Sequence, residues 1–283
     1  MELPFHINLE NKVAVVTGGS GVLGSVLSEA LAEAGASVVV LARNKDKVDA
    51  VTERIQKNDG TACGYSVDVL DPNALEEVHQ DVLARVGSCD ILINGAGGNH
   101  PQATTSQEKL DPEAITDDSQ QTFFDLDPNA VKNLFDLIFI GALLPTQVFA
   151  KDMVEKEEAT VINISSMNAD RPLTKIPAYS GAKAAVSNFT QWLAVHFADV
   201  GIRVNAVAPG FFLTDQNRAL MYKDDGSLSE RAHKILAQTP DARFGEPEEL
   251  VGALLWLVNA RASGFVNGIV VPVDGGFSAY SGV

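Results

Sequence analysis

Cysteine is almost missing from this chain: two residues, Cys63 and Cys89, in 283. A disulfide framework is therefore excluded, and both are expected to be buried thiols. Histidine is scarce and scattered, five residues in all, so no metal cluster is expected. Positive charge is the poorer sign, with 21 Lys and Arg against 37 Asp and Glu and a net charge of −16. That balance opposes nucleic acid or an anionic membrane as partner, and an anionic ligand would need cations gathered locally. No apolar run approaches the ~20 residues of a membrane span, and no basic segment followed by an apolar one opens the chain. A cytoplasmic protein is expected. Internal repeats and linker-like tracts are also missing, which favours a single domain spanning residues 1–283. Apolar residues are plentiful, 46% of the chain, and they fall in a repeated strand–helix rhythm.

Val13-Ala14-Val15-Val16-Thr17 reads as a buried parallel strand. Gly18-Gly19-Ser20-Gly21-Val22-Leu23-Gly24 follows at once, then a helix from Ser25 to Ala34 stopped by Gly35. Strand, glycine turn and helix together make a nucleotide-site signature. The glycines let the backbone approach a pyrophosphate, and the helix N-terminus offers N–H groups and positive dipole. The second strand, Ser37 to Leu41, runs into Ala42-Arg43-Asn44-Lys45. An acid at that tip would bond a ribose 2′-OH, whereas an arginine accepts a 2′-phosphate. Arg43 therefore favours NADP(H), with NAD(H) the alternative. Asp46 is close by, and Arg43 could instead stack on adenine or cap the next helix.

Ser166, Tyr179 and Lys183 give the second signal. Tyr179 and Lys183 are one helical turn apart and share a helix face. A phenol of pKa ~10 is a poor acid or base at neutral pH. An ammonium beside it would favour the phenolate and lower that value. With a serine hydroxyl to hold the substrate oxygen, this is acid–base equipment for interconverting a carbonyl and an alcohol.

Together these pieces resemble the short-chain dehydrogenase/reductase family over nearly the whole chain. The matching residues are Thr17 to Gly24, Asp68-Val69, Asn94-Gly95-Ala96-Gly97, Ser166, Tyr179 with Lys183, Asn205 and Pro209-Gly210. The resemblance implies an oxidoreductase with a nicotinamide cofactor, held around Gly18, Ser20, Gly21, Val22, Leu23 and Gly24. It implies that Asp68 and Val69 contact the adenine, and that Asn94, Ala96 and Gly97 stabilise the sheet and line the cofactor. Ser166 would polarise the carbonyl and Tyr179 pass the proton. Lys183 would hold the nicotinamide ribose and tune Tyr179. Pro209, Gly210, Phe212 and Thr214 would meet the nicotinamide end. One position departs: Ile138, three residues before Gly141, stands where many members carry an asparagine that helps place an ordered water. A slower or rerouted proton relay is expected.

After Gly97 the chain carries a polar, acidic loop, residues 98–129, roughly twenty residues longer than the usual connection to the next helix. Loops of this length in compact domains are functional or disordered. It follows the carboxyl end of a parallel strand, where such sheets bind ligands. Gly97-Gly98-Asn99-His100-Pro101, Ser166-Met167-Asn168, Arg171 to Lys175 and the tail Val273 to Val283 resemble the D-mannonate oxidoreductase (fructuronate reductase) branch. That resemblance implies interconversion of D-fructuronate and D-mannonate in hexuronate catabolism. A sugar acid needs a cation for its carboxylate and neutral groups for its hydroxyls. Arg171 and Arg218 are candidates for the first, and Asn99, His100 and Asn168 for the second. Plainer roles compete: His100 capping a turn, Arg171 pairing with Asp170, Lys175 solvated, Asn168 bonding its own loop. Residues 211–240 correspond to the family's substrate lid.

The remaining strands are expected at Ala62 to Val67, Ile91 to Asn94, Thr160 to Ile164, Arg203 to Ala208 and Ile269 to Val273. The remaining helices are expected at Pro72 to Arg85, Val131 to Glu155 with a kink at Pro145, Tyr179 to Val200 and Pro247 to Val258. The expected fold class is α/β: a Rossmann fold, a doubly wound parallel sheet of about seven strands with helices on both faces. Surplus apolar surface on the two long central helices predicts a homodimer or homotetramer. Other readings are a gluconate 5-dehydrogenase, a 3-oxoacyl thioester reductase, or a dinucleotide-binding regulator without turnover.

Overall fold

The computed structural model describes residues 6–154, 156–214 and 217–282, together with Leu3. Seven parallel strands form one sheet in the order β3-β2-β1-β4-β5-β6-β7. They are β1 (Val13–Thr17), β2 (Ser37–Ala42), β3 (Thr61–Ser66), β4 (Ile91–Asn94), β5 (Thr160–Ile164), β6 (Arg203–Pro209) and β7 (Val270–Val273). All five residues of β1 are buried, as a strand covered on both faces requires. Val16, with Ala14, packs under α1 (Val22–Glu33), α2 (Lys45–Lys57) and α9 (Val251–Val258), among Leu27, Ile55 and Leu254. Val13 and Val15 pack on the opposite face among Leu75, Phe149 and Leu193. Those come from α3 (Pro72–Arg85), α5 (Gly141–Phe149) and α6 (Pro177–His196).

Strand order reverses between β1 and β4, so the loops leaving their carboxyl ends part and open a crevice there. Asp71 caps α3 by accepting from Asn73 and Ala74, with Pro72 in the first turn. Pro177 likewise opens α6, two residues before the expected start. Helix α1 begins three residues earlier than expected, inside the glycine turn.

The long central helix differs from expectation. It starts at Pro128 with Asp127 as cap, and α4 (Pro128–Phe135) runs into a π turn, Asp136–Ile140, before α5. The irregularity therefore lies ahead of Pro145, which sits buried inside α5. This turn holds Ile138 at 1% exposure among Ala103, Leu134 and Ala182, so apolar packing explains the residue there. Its expected end, Glu155, lies outside the described residues. By length and composition alone, Pro128–Met153 is long and apolar enough to cross a membrane, contrary to the expectation that no run comes close. Half of that window is buried within the fold, as in the core helix of a globular domain.

Three short 3-10 turns order the insert: Pro101–Ala103, Pro112–Thr116 and Phe123–Asp125. Its base is tied at both ends, with Thr105 N–H on the Lys175 carbonyl at 2.8 Å and Asp127 N–H on the Gln102 carbonyl at 3.1 Å. The segment expected as a lid holds α7 (Arg218–Met221) and α8 (Glu230–Ala237) around a small apolar cluster of Met221, Ala232, Ile235 and Phe244.

Candidate active site

A cavity of about 910 Å³ fills the crevice. Gly18, Ser20, Gly21, Val22, Leu23 and Gly24 line one wall. Gly18 has φ +66°, and a Cβ there would meet the Gly95 carbonyl at 2.6 Å; one on Gly24 would run into the Gly18 carbonyl. Only glycine permits this close stacking. Gly21 caps α1 with no side-chain bond, so the first turn of a twelve-residue helix meets the cavity with N–H groups not covered by a cap. This is a cradle for a pyrophosphate, and the residues present fit a dinucleotide.

At the tip of β2, Arg43 and Lys47 line the cavity. Asn44, not Arg43, caps α2, accepting from Lys47 N–H at 3.0 Å, and Asp46 stands outside the lining. Asp68 and Val69 line the opposite side, as do Ala96 and Gly97. Asn94 does not reach the cavity. Its amide bonds Thr146 and Asn163, each at 2.9 Å, and braces β4 against β5. The β4 exit is set by Thr17, whose hydroxyl accepts from Gly95 and Ala96 N–H groups at 3.1 and 3.3 Å. Thr17 stands in the matched motif, but its hydroxyl's partners, like those of Thr146 and Asn163, are not visible in sequence because they lie in distant strands and helices.

Pro209, Gly210 and Thr214 line the far end. Phe212, expected with them, does not. Its bridge to Gly245 turns the ring into the core, 7% exposed, where a Cβ on Gly245 would lie 2.7 Å from it.

Ser166, Tyr179 and Lys183 line the same cavity. Ser166 leaves β5 extended and caps a 3-10 turn, its hydroxyl accepting from Asn168 N–H at 3.3 Å. Tyr179 is in the first turn of α6, hydrogen-bonded to Ser166. Lys183 is 5% exposed and donates to the Ile164 carbonyl at 2.6 Å. Its Nζ lies 5.8 Å from the Tyr179 ring centroid. Burial lowers the lysine to about 8. Burial also pushes the Tyr179 phenol up, and the Ser166 hydrogen bond offsets part of that. The expectation of a lysine-lowered phenol is therefore corrected: burial outweighs any effect of Lys183. The ammonium is turned to a main-chain carbonyl, and loss of water around the hydroxyl dominates. The phenol keeps its proton at neutral pH, which suits it to donate.

The five residues expected at the substrate are dispersed. Asn99 donates to Thr104 Oγ1 at 3.2 Å. His100 caps the first 3-10 turn of the insert through Nδ1. Asn168 is buried with its Oδ1 unpartnered. Arg218 stands on α7 with its guanidinium 5.8 Å from the Tyr222 ring. None of the four lines the dinucleotide cavity. Arg171 donates to the Ser278 carbonyl at 3.2 Å and lies 3.8 Å from Asp170. It lines a second cavity of about 590 Å³, bounded by the loop before α6, helix α8, the C-terminal tail and Glu108 of the insert. Among the described residues no group of three His, Cys, Asp or Glu could hold a metal ion.

A dinucleotide cradle opening onto a serine, a tyrosine and a lysine defines an oxidoreductase site. The comparisons with known proteins agree. Residues 12–225 match the family model described as short chain dehydrogenase, and the chain belongs to that family. It is 54% identical to an uncharacterized oxidoreductase of Haemophilus influenzae, over 100% of this chain and 99% of the relative. Among solved structures, it matches that of a "putative D-mannonate oxidoreductase" from Haemophilus influenzae with bound NAD. The TM-score is 0.95 and the identity 53%, with 100% of both chains covered. A gluconate 5-dehydrogenase from Burkholderia cenocepacia, in complex with NADP and tartrate, matches with a TM-score of 0.81 and 29% identity over 98% of each chain. The protein is a short-chain oxidoreductase that uses a nicotinamide cofactor.

Proposed function

We propose that the protein interconverts a keto-sugar acid and its hydroxy acid, D-fructuronate and D-mannonate, with NADP(H). The observation that carries the reading is a pair of cavities linked along the chain: Ile176 lines one and Tyr179, three residues on, the other, and Phe211 and Gly210 divide in the same way. One holds Ser166, Tyr179 and Lys183; the other is lined by Arg171, Lys175, Arg231 and Lys234. Cations gathered in a cavity whose loop runs straight into the helix of Tyr179 suit a polyhydroxy carboxylate, on a chain whose overall charge repels one. The relative bearing the D-mannonate oxidoreductase name and the gluconate 5-dehydrogenase with bound tartrate point the same way.

The nicotinamide supplies or accepts the hydride. Around it, the turn from Gly18 to Gly24 would hold the pyrophosphate and Asp68 and Val69 the adenine. Lys183 would hold the ribose hydroxyls, and Thr214 the amide. Arg43 and Lys47 would hold a 2′-phosphate, which is why NADP(H) is favoured although a close relative carries NAD. In the reducing direction Ser166 donates a hydrogen bond to the carbonyl oxygen and polarises it. Tyr179 gives that oxygen its proton as the alkoxide forms. Lys183, still mostly protonated at neutral pH, stabilises the phenolate left behind. Ile138 contributes no polar atom, so the phenol is re-protonated by another path. A homodimer or homotetramer is also proposed, because Trp192 and Val195 on α6 and Phe265 before β7 are 57, 81 and 106% exposed.

An absorbance assay of NADPH and NADH against D-fructuronate, tagaturonate, D-mannonate and gluconate tests the reading. Turnover of the fructuronate/mannonate pair, best with NADP(H), is expected. Preference for gluconate would move the assignment to a gluconate dehydrogenase, and tight dinucleotide binding without turnover would favour a regulator.

A further inference from the structure

The second cavity gathers charge from segments far apart in sequence. Arg171 and Lys175 come from the loop before α6, and Arg231 and Lys234 from α8. Two carboxylates oppose them, Glu108 from the insert and Glu230 from α8. Glu108 accepts from Lys234 Nζ at 3.0 Å, and Lys234 is also 3.6 Å from Glu230. The Glu108 carboxyl is held below its ordinary range by the bond and charge of Lys234, with Lys175 and Lys109 adding to it. Lys175 has a left-handed backbone, φ 72°, and its carbonyl accepts from Thr105 of the insert at 2.8 Å. A non-glycine residue keeps that conformation only where its surroundings impose it. The insert thus touches this cavity twice, fixing the backbone of one lysine and the side chain of another.

We propose that Glu108 is an internal stand-in for the substrate carboxylate: it occupies the seat facing Lys234 and Lys175, and an anionic substrate displaces it. The inference rests on the sugar-acid reading above and names the residues that set its specificity. A carboxylate can replace a carboxylate without rearranging the lysines, and Glu108, 45% exposed, can turn to water when displaced. A neutral polyol has no group that could take its place. Competition from within the chain therefore selects ligands that carry an anion and rejects those that do not.

Calorimetry with D-mannonate, and with mannitol as the neutral control, tests this in the unmodified protein, Glu108→Gln and Lys234→Gln, at saturating NADPH, with which D-mannonate does not react. KM for the carboxylated substrate is measured in parallel. Glu108→Gln is expected to tighten D-mannonate roughly threefold, and Lys234→Gln to weaken it by roughly three- to fivefold, the scale of a half-exposed charge pair. Mannitol should respond to neither. If Glu108 only fastens the insert, Glu108→Gln will weaken both ligands together, and the proposal is overturned; unchanged D-mannonate affinity in either variant also overturns it. Failure of the two readings is distinguishable. Turnover of sugar acids with no tightening in Glu108→Gln removes the stand-in alone. Inert sugar acids with the expected binding shifts remove the reaction assignment and leave an anion site.

Discussion

The dinucleotide half of this molecule and the half proposed for the substrate are built on different principles. The first is a backbone site. Gly18 and Gly24 leave no room for a Cβ, Thr17 holds two main-chain N–H groups, and helix α1 presents its capless first turn. The second is a side-chain site, assembled from an insert, a loop, a helix and a tail, and tied by contacts such as Glu108–Lys234 and Arg171–Ser278. Sterics fix the first for any ligand with a pyrophosphate. Charge shapes the second, so a single substitution there would change which anion it accepts and leave the cradle as it is.

The sharpest way to separate the halves is at their junction. Tyr179→Phe removes the proton and keeps the ring. It should cut kcat by roughly 10²–10⁴-fold while a fluorescence titration finds dinucleotide affinity unchanged; parallel losses in both would make Tyr179 part of the cradle instead.

Lys183 gives the next largest effect, seen in stability. Burial takes it from the ordinary 10.5 to about 8. Between these values the unfolded chain binds more protons than the native one, so native stability rises with pH from about 8 to 10.5. The burden of the buried charge is fully present below pH 8. The window is worth on the order of 3 kcal/mol. Lys183→Met should remove that rise, leaving the variant relatively most stable at pH 7 and losing its advantage towards pH 10.5 in urea titrations. A constant difference across that range would mean that the ammonium is solvated.

A smaller effect belongs to the cofactor half alone. Arg43→Ala should weaken NADP(H) by ~1.5–3 kcal/mol and leave NAD(H) and all sugar-acid constants nearly untouched. NAD(H) as the better cofactor of the unmodified protein would contradict the role given to Arg43. The smallest effect lies in the other half. Arg171 is 61% exposed and partly engaged by Ser278, so Arg171→Ala should raise KM for a carboxylate by only a few fold, about 0.5–1 kcal/mol, and not for a polyol. Equal changes for both would take Arg171 out of the substrate's reach.

The same contrast explains what could be read from sequence. Strand β1, the glycine turn and the Tyr179/Lys183 spacing are local patterns, and the fold and cofactor class followed from them. Lys234 and Glu108 are 126 positions apart, so no local pattern joins them, and Asn99, His100 and Arg218 looked equally suitable on charge and polarity. Phe212 was misplaced because a bridge to Gly245, more than thirty positions away, decides where its ring points. The ionisation of Tyr179 was misjudged for a related reason. Spacing puts Lys183 on the same face, but only the fold shows its Nζ spent on Ile164.

The most direct test of the whole account is a crystal structure of the protein with NADPH and D-mannonate. The Tyr179 hydroxyl is expected within hydrogen-bonding distance of the substrate oxygen that takes the proton, with the substrate carboxylate towards Lys175 and Lys234. A phenol turned away from the bound substrate would contradict it.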